Sequence, residues 1–230
     1  MDEFDIIALT ETSLKGDIGD NHLGLNNYNI VRCDRSIFTS YKSSGGGVLL
    51  AINKSLKYTI IPIAVNSYEH LLVKINTGFS HLLISLAYVP PNSDSDYFEN
   101  FIESLQTSLS SFSNLGSIDK FMLLGDINIP GYRWLNVNNT AKAVGTHTSH
   151  NIRYAAKIFS CLCMNYKLTQ CNNYVNSSGN ILALVITNLY DSKVSTYDDP
   201  IFDCDSFHHA LYITFLLSQH KKLSFNEYFY

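Results

Sequence analysis

Phe121-Met122-Leu123-Leu124-Gly125-Asp126-Ile127-Asn128 is the stretch on which the reading of this chain turns. A compact apolar strand opens through glycine into Asp-x-Asn, which sets a carboxylate and an amide side by side at the strand's end. Such a carboxylate can orient an attacking water or take its proton, and the amide can hold that water or a phosphate oxygen. Gly, Asp and Asn are also turn formers, so the segment by itself reads equally well as a tight turn.

Working outward, short apolar runs broken by turn residues fill the first ninety positions: Phe4 to Leu9, Tyr28 to Val31, Val48 to Ile52, Tyr58 to Val65, Leu71 to Ile75 and Leu82 to Val89. These read as strands. After Pro90-Pro91, a capping stretch from Ser93 to Asp96 precedes Tyr97, Phe98, Phe101, Ile102, Leu105, Leu109 and Phe112, whose spacing predicts an amphipathic helix. A second helix is expected around Ile152 to Tyr166, and late buried strands at Ile181 to Ile186 and Leu211 to Leu217. Strands followed by interleaved helices and strands predict an α/β (α+β) domain of two packed sheets flanked by helices. At 230 residues, 1–230 is read as a single domain.

Composition narrows the class. An apolar fraction of 46% against 16% charged residues is that of a chain able to bury a core, not of a disordered one. The net charge of −4 supplies no global positive field, so intrinsic DNA affinity should be weak. It does not exclude a nuclease, because a bound divalent cation brings positive charge that composition does not count. The five cysteines, Cys33, Cys161, Cys163, Cys171 and Cys204, show no C-x-x-C pair or zinc spacing and are expected as reduced, mostly buried thiols. With no secretory leader and no apolar run near the roughly 18 residues that span a bilayer, a soluble intracellular protein, nuclear or cytoplasmic, is expected.

Polar residues at strand ends are the places to look for a site. Glu11 stands at the mouth of the first strand, where it can ligate a hard cation or simply be a solvated loop residue. Tyr88 closes a strand before Val89-Pro90-Pro91 and can contact a phosphate or belong to the core. Asp205 and His208 precede the last expected strand, as a carboxylate–imidazole pair or as an acidic turn. His209, beside them, reads as a surface residue. Gly45-Gly46-Gly47 lacks the Lys-Ser/Thr of a P-loop and reads as a flexible loop or a close backbone approach.

Taken in order, strand-Glu, strand-Tyr-x-Pro-Pro, strand-Gly-Asp-x-Asn and a late Asp/His pair resemble the endonuclease/exonuclease/phosphatase superfamily. The closer resemblance is to endonuclease domains of jockey-like non-LTR retrotransposons. It rests on Ile7 to Thr12, Asp34-Arg35 followed by Gly45-Gly46-Gly47-Val48, Ala87 to Pro91, Leu124 to Asn128 with Trp134, and Asn180 to Asn188. The resemblance implies a four-layer sandwich of two mixed β-sheets flanked by helices, with the site along the strand ends at one edge. It also implies a Mg²⁺ (or Mn²⁺) cofactor and DNA as partner. By position, Glu11 and Asp205 would be metal ligands, Asp205 also accompanying His208. Tyr88 would touch phosphate, Asp126 and Asn128 would activate and orient water, and His208 would face the phosphate.

The pattern departs from that family at three points. A first strand carrying a metal-site Asn, and a helix, normally come before the position of Phe4; if Met1 is the true start, one site ligand is missing and exposed edge backbone is expected in place of that strand, beside the first strand here. Ala183 stands where the family's Leu-Asp-Leu-Val segment carries an acid that orients the histidine; in triad enzymes losing such an acid costs on the order of 10⁴ in rate. Asp205 and His208 are three residues apart, about 10 Å of extended strand, so they cooperate only across a turn or bulge. Three readings stay open: a Mg²⁺-dependent DNA endonuclease domain weakened by these changes, a catalytically inactive remnant of it, and a phosphatase or phospholipid diesterase on the same scaffold.

Overall fold

The computed structural model describes residues 4–39, 45–63, 67–78, 80–110, 120–189, 191–197, 208–218 and 221–229. In chain order its strands are β1 (Ile6–Thr10), β2 (Tyr28–Cys33), β3 (Val48–Asn53), β4 (Lys57–Ile60), β5 (Glu69–Asn76) and β6 (His81–Tyr88). Helix α1 (Ser95–Ser110) leads to β7 (Lys120–Asp126), the hairpin β8 (Tyr132–Val137) and β9 (Thr140–Gly145), and helix α2 (His150–Tyr166). The remaining strands are β10 (Thr169–Gln170), β11 (Ala183–Thr187), β12 (Lys193–Thr196), β13 (Leu211–Ser218) and β14 (Lys221–Phe229). Each apolar run of the sequence lands on one of these elements. β4 ends at Ile60, so the expected Tyr58 to Val65 strand is shorter than read, Ile61 to Ile63 lying outside any strand; residues 64 and 65, Phe112 of the expected first helix, and Cys204 and Asp205 lie outside the described residues.

Two mixed sheets result, one in the order β12-β13-β14-β1-β3-β2 and the other β10-β11-β7-β6-β5-β4. Alternation in the strands sends one row of each inward. Ile6, Ala8, Leu50 and Ile52 of the first sheet meet Val73, Ile84, Leu124 and Val185 of the second in one buried layer. The outer face of the second sheet is covered by α1 and α2, whose Phe98, Phe101, Leu105, Ala155 and Phe159 are buried against Leu72, Leu83, Leu123 and Leu184. On the outer face of the first sheet Ile7, Leu9, Leu49 and Ala51 are covered by Phe4, Leu25 and the 3₁₀ turn Asp20–Leu23 with its flanking loop.

The edge expected at β1 is not there. β1 pairs antiparallel with β3 on one side and parallel with β14 on the other, Ile6 opposite Phe225 through Thr10 opposite Phe229. The backbone groups that an edge strand would leave open are therefore used in a ladder. Of the cysteines described, Cys163 is buried, Cys33 and Cys171 are half-buried and Cys161 is exposed; all four are free thiols. Burial is thus less general than expected.

One glycine sets the geometry of the strand ends. Gly125 adopts φ 140°, and a β-carbon there would stand 1.8 Å from the Ala87 carbonyl oxygen of the neighbouring strand. Only glycine lets β6 and β7 approach this closely one residue before Asp126. Gly125→Ala is expected to cost at least about 3 kcal/mol through overpacking and backbone strain. That corresponds to a fall in Tm of roughly 6–12 °C for a domain of this size. Gly16→Ala, at a position with nothing within 4 Å, is the control. Calorimetry showing equal Tm values for the two variants would refute the assignment.

Candidate active site

Strand register alone assembles half of the site. In the second sheet Glu69 lies opposite Tyr88, Tyr88 beside Asp126, and Asp126 opposite Ala183, a single row across β5, β6, β7 and β11. All four belong to the inward-facing series, since Leu71, Leu86, Leu124 and Val185, two residues away on each strand, lie in the inter-sheet core. The row ends where the apolar layer ends. From the first sheet, β1 delivers Glu11 one residue past the buried Thr10. Glu11 takes φ 53°, a left-handed conformation uncommon for a non-glycine residue, and so turns out of the strand at this point.

The side chains converge. Tyr88 donates its hydroxyl to Glu11 Oε1 at 2.5 Å. Asp126, 2% exposed, accepts the Asn128 backbone N–H at 3.1 Å and the Asn128 amide at 2.8 Å, while that same amide donates to the Val89 carbonyl at 2.9 Å. Asn128, itself at φ 50°, thus spends its NH₂ group fixing Asp126 against the end of β6. His208 Nε2 stands 3.4 Å from Asp126 Oδ2. One ligand atom each from Glu11, Asp126 and His208 lies within 4.8 Å of the others.

The charges explain what such a cluster wants. Burial pushes the Glu11 carboxyl above its ordinary pKa; the Tyr88 hydrogen bond offsets this in part, and the Asp126 charge adds to the rise. Tyr88 is pushed far up by burial and by its bond to Glu11, so it stays a neutral donor. Two carboxylates and an imidazole at this spacing can hold a divalent cation, the carboxylates being the oxygen donors that suit Mg²⁺ or Mn²⁺. In the cation's absence the ionised form of Glu11 works against the fold.

Of the residues singled out from the sequence, Glu11, Tyr88, Asp126, Asn128 and His208 come together here, and Asp205 lies outside the described residues. Ala183 occupies the row position beside Asp126 and lines a small pocket with Asn172, Asn176, His208 and Leu211. Sequence reasoning passed over Glu69. Its carboxylate is 1% exposed and bound to Arg35 at 2.6 Å. The signal was an acid at the start of a strand whose centre, Leu71 to Val73, is apolar. A groove of about 620 Å³ between β9 and α2, lined by Tyr132, Lys142, Lys157 and Met164 among others, shares no residue with this cluster.

No known sequence family matches the chain, and no curated protein does. Solved structures do. The endonuclease domain of TRAS1, a telomere-specific non-LTR retrotransposon, superposes with a TM-score of 0.60 at 10% identity, covering 93% of this chain and 86% of that one. An AP endonuclease from Archaeoglobus fulgidus gives 0.52 at 14% identity, over 92% and 88%. The human Nocturnin catalytic domain gives 0.52 at 10% identity, over 96% and 79%. The chain therefore has the endonuclease/exonuclease/phosphatase fold, as the sequence motifs implied. Among the described residues no helix is long and apolar enough to cross a membrane.

Proposed function

We propose that this chain is a divalent-metal-dependent phosphodiesterase acting on DNA, an endonuclease domain of non-LTR retrotransposon descent, with Mg²⁺ or Mn²⁺ as its ion. The observation that carries the reading is the Glu11–Asp126–His208 cluster, three ligand atoms within 4.8 Å of one another at the mouth of the sandwich. When bound there, the ion would polarise a phosphoryl oxygen and offset charge on the leaving oxygen. Asp126, held by two bonds from Asn128, would orient the attacking water and accept its proton. His208 would face the phosphate with its imidazole. Tyr88 would stand beside the phosphate, its one hydroxyl proton either keeping Glu11 aimed or turned to a phosphate oxygen. Asp205, three residues before His208, would be a further acid of the site. The likeness of fold to a retrotransposon endonuclease domain and to an AP endonuclease supports DNA as the substrate class.

Ala183 favours a second reading, a catalytically inactive remnant of that domain. An alanine beside Asp126 offers His208 no hydrogen-bond acceptor from its side chain, so nicking should be weak or absent.

Metal binding separates both readings from a merely structural cluster. Because Glu11's pKa is raised in the folded state, its contribution to stability is present when it is protonated, at low pH, and is lost as pH rises through that raised value. At neutral pH and without metal, Glu11→Gln should therefore melt higher than the native chain. Millimolar Mg²⁺ or Mn²⁺ should raise the Tm of the native chain and leave Glu11→Gln unmoved. Equal metal responses from the two proteins would rule out a site built on Glu11.

A further inference from the structure

Glu11 and Tyr88 are held from behind by a buried ion pair. Arg35 Nε donates to Glu69 Oε1 at 2.6 Å and Arg35 Nη2 to Oε2 at 3.2 Å, with 7% and 1% of the two side chains exposed. The rest of the Glu69 carboxylate is also used: Oε2 accepts the Gly47 N–H at 2.9 Å, and Oε1 the Thr39 hydroxyl at 3.4 Å. On its other side the guanidinium carbon lies 5.6 Å from the centre of the Tyr88 ring, in cation–π range. It packs so closely on Gly46 that a β-carbon there would come within 2.1 Å of Nη2.

The glycine loop passes this order forward. Gly46 O accepts the Ser13 N–H at 2.8 Å and Gly47 O the Thr12 N–H at 3.3 Å, the two residues directly after Glu11. Both ends of Glu11 thus trace back to one pair. Its backbone, at φ 53°, is tied through Thr12 and Ser13 to the loop that Glu69 grips, and its carboxylate is bonded to the ring that Arg35 covers. A buried ion pair is often no more stabilising than apolar residues of the same shape, so stability does not account for it.

We propose that Arg35 and Glu69 are positioning residues for the metal-ligating Glu11, fixing its strained backbone and its Tyr88 partner through the Gly46-Gly47 loop. This rests on the reading of Glu11 as a ligand given above. The idea opposes simple electrostatics, which makes it testable. Removing a cation near a metal site should tighten cation binding through space, whereas losing a clamp should weaken it.

The experiment compares Arg35→Met, Arg35→Lys and the native chain in two measurements: Mn²⁺ affinity by electron paramagnetic resonance, and amide hydrogen exchange at Thr12 and Ser13. Both variants are expected to bind Mn²⁺ at least fivefold more weakly, Arg35→Lys included, because an ammonium keeps the charge and lacks the two-pronged grip. Exchange at Thr12 and Ser13 should speed at least tenfold while Val185, on β11, stays unchanged. Mn²⁺ binding by Arg35→Met as tight as native or tighter would overturn the proposal. So would native exchange at Thr12 and Ser13 in Arg35→Lys, the variant expected to fold if Arg35→Met does not. If the native chain shows no Mn²⁺ binding that Glu11→Gln removes, the metal reading itself falls, and the exchange measurement still decides whether the clamp exists.

Discussion

Asp126→Asn is expected to lower Mg²⁺-dependent nicking of supercoiled plasmid by at least about 10²-fold, the size associated with losing a positioned general base. The substitution is nearly isosteric, so the loss should come with the fold intact. Asp126 is 2% exposed and accepts two bonds from Asn128, whose own amide is anchored on the Val89 carbonyl. An asparagine can keep one oxygen toward these donors but must aim its NH₂ either at Asn128 or at His208 Nε2, 3.4 Å away in the native protein. Burial is the main cause of the raised Glu11 pKa, and the substitution removes the Asp126 charge that adds to it, so the Glu11 pKa should fall somewhat and the metal-free protein should melt higher. Nicking by Asp126→Asn within threefold of native, with unaltered metal dependence, would remove Asp126 from the chemistry.

The fold was legible where one physical signal dominated. Apolar runs bounded by turn residues located β1, β3, β5, β6, β7, β11 and β13 to within two or three residues, and helical spacing of aromatic residues located α1. The hairpin of β8 and β9 went unread because its strands are largely exposed and carry little alternation, although its turn was written in Asn138-Asn139. Both residues take positive φ, 50° and 58°, as a two-residue hairpin loop demands. β14 was missed for a different reason. Lys221-Lys222-Leu223-Ser224-Phe225 alternates as a strand should, but nothing in local sequence says that this strand inserts between β13 and β1. That pairing spans more than two hundred residues and depends on which neighbour is left open after the other strands have paired.

The site divides the same way. Gly125-Asp126-Ile127-Asn128 announced itself because Gly and Asn occupy positive-φ positions while Asp is buried, a combination that local sequence can show. Glu11 and Tyr88 became meaningful only when the order of motifs was read as a whole, since 77 residues separate partners joined by one hydrogen bond. Arg35 entered only as part of the Asp34-Arg35 motif and Glu69 only as an acid at a strand's start, and neither signal says that the two meet. Their roles appear once register sets Glu69 opposite Tyr88.

Ala183→Asp is expected to raise Mg²⁺-dependent nicking at least tenfold, about 1.4 kcal/mol of transition-state stabilisation. Position 183 lies opposite Asp126 on the adjacent strand and shares a small pocket with His208, Asn172 and Asn176. A carboxylate entering that pocket meets the imidazole, where it can accept a ring N–H and favour the protonated form. The same register puts it across from Asp126, and like charges directly opposite on neighbouring strands repel. The metal-free variant should therefore melt below the native chain, and Mg²⁺ should raise its Tm by more than it raises the native one, because the ion relieves a larger excess of negative charge. If the gain in nicking comes through the imidazole, it should vanish in the Ala183→Asp, His208→Ala double variant, where the new acid has nothing to orient. A folded Ala183→Asp protein that gains no activity, or gains it equally without His208, would show that the acid at this position serves another partner.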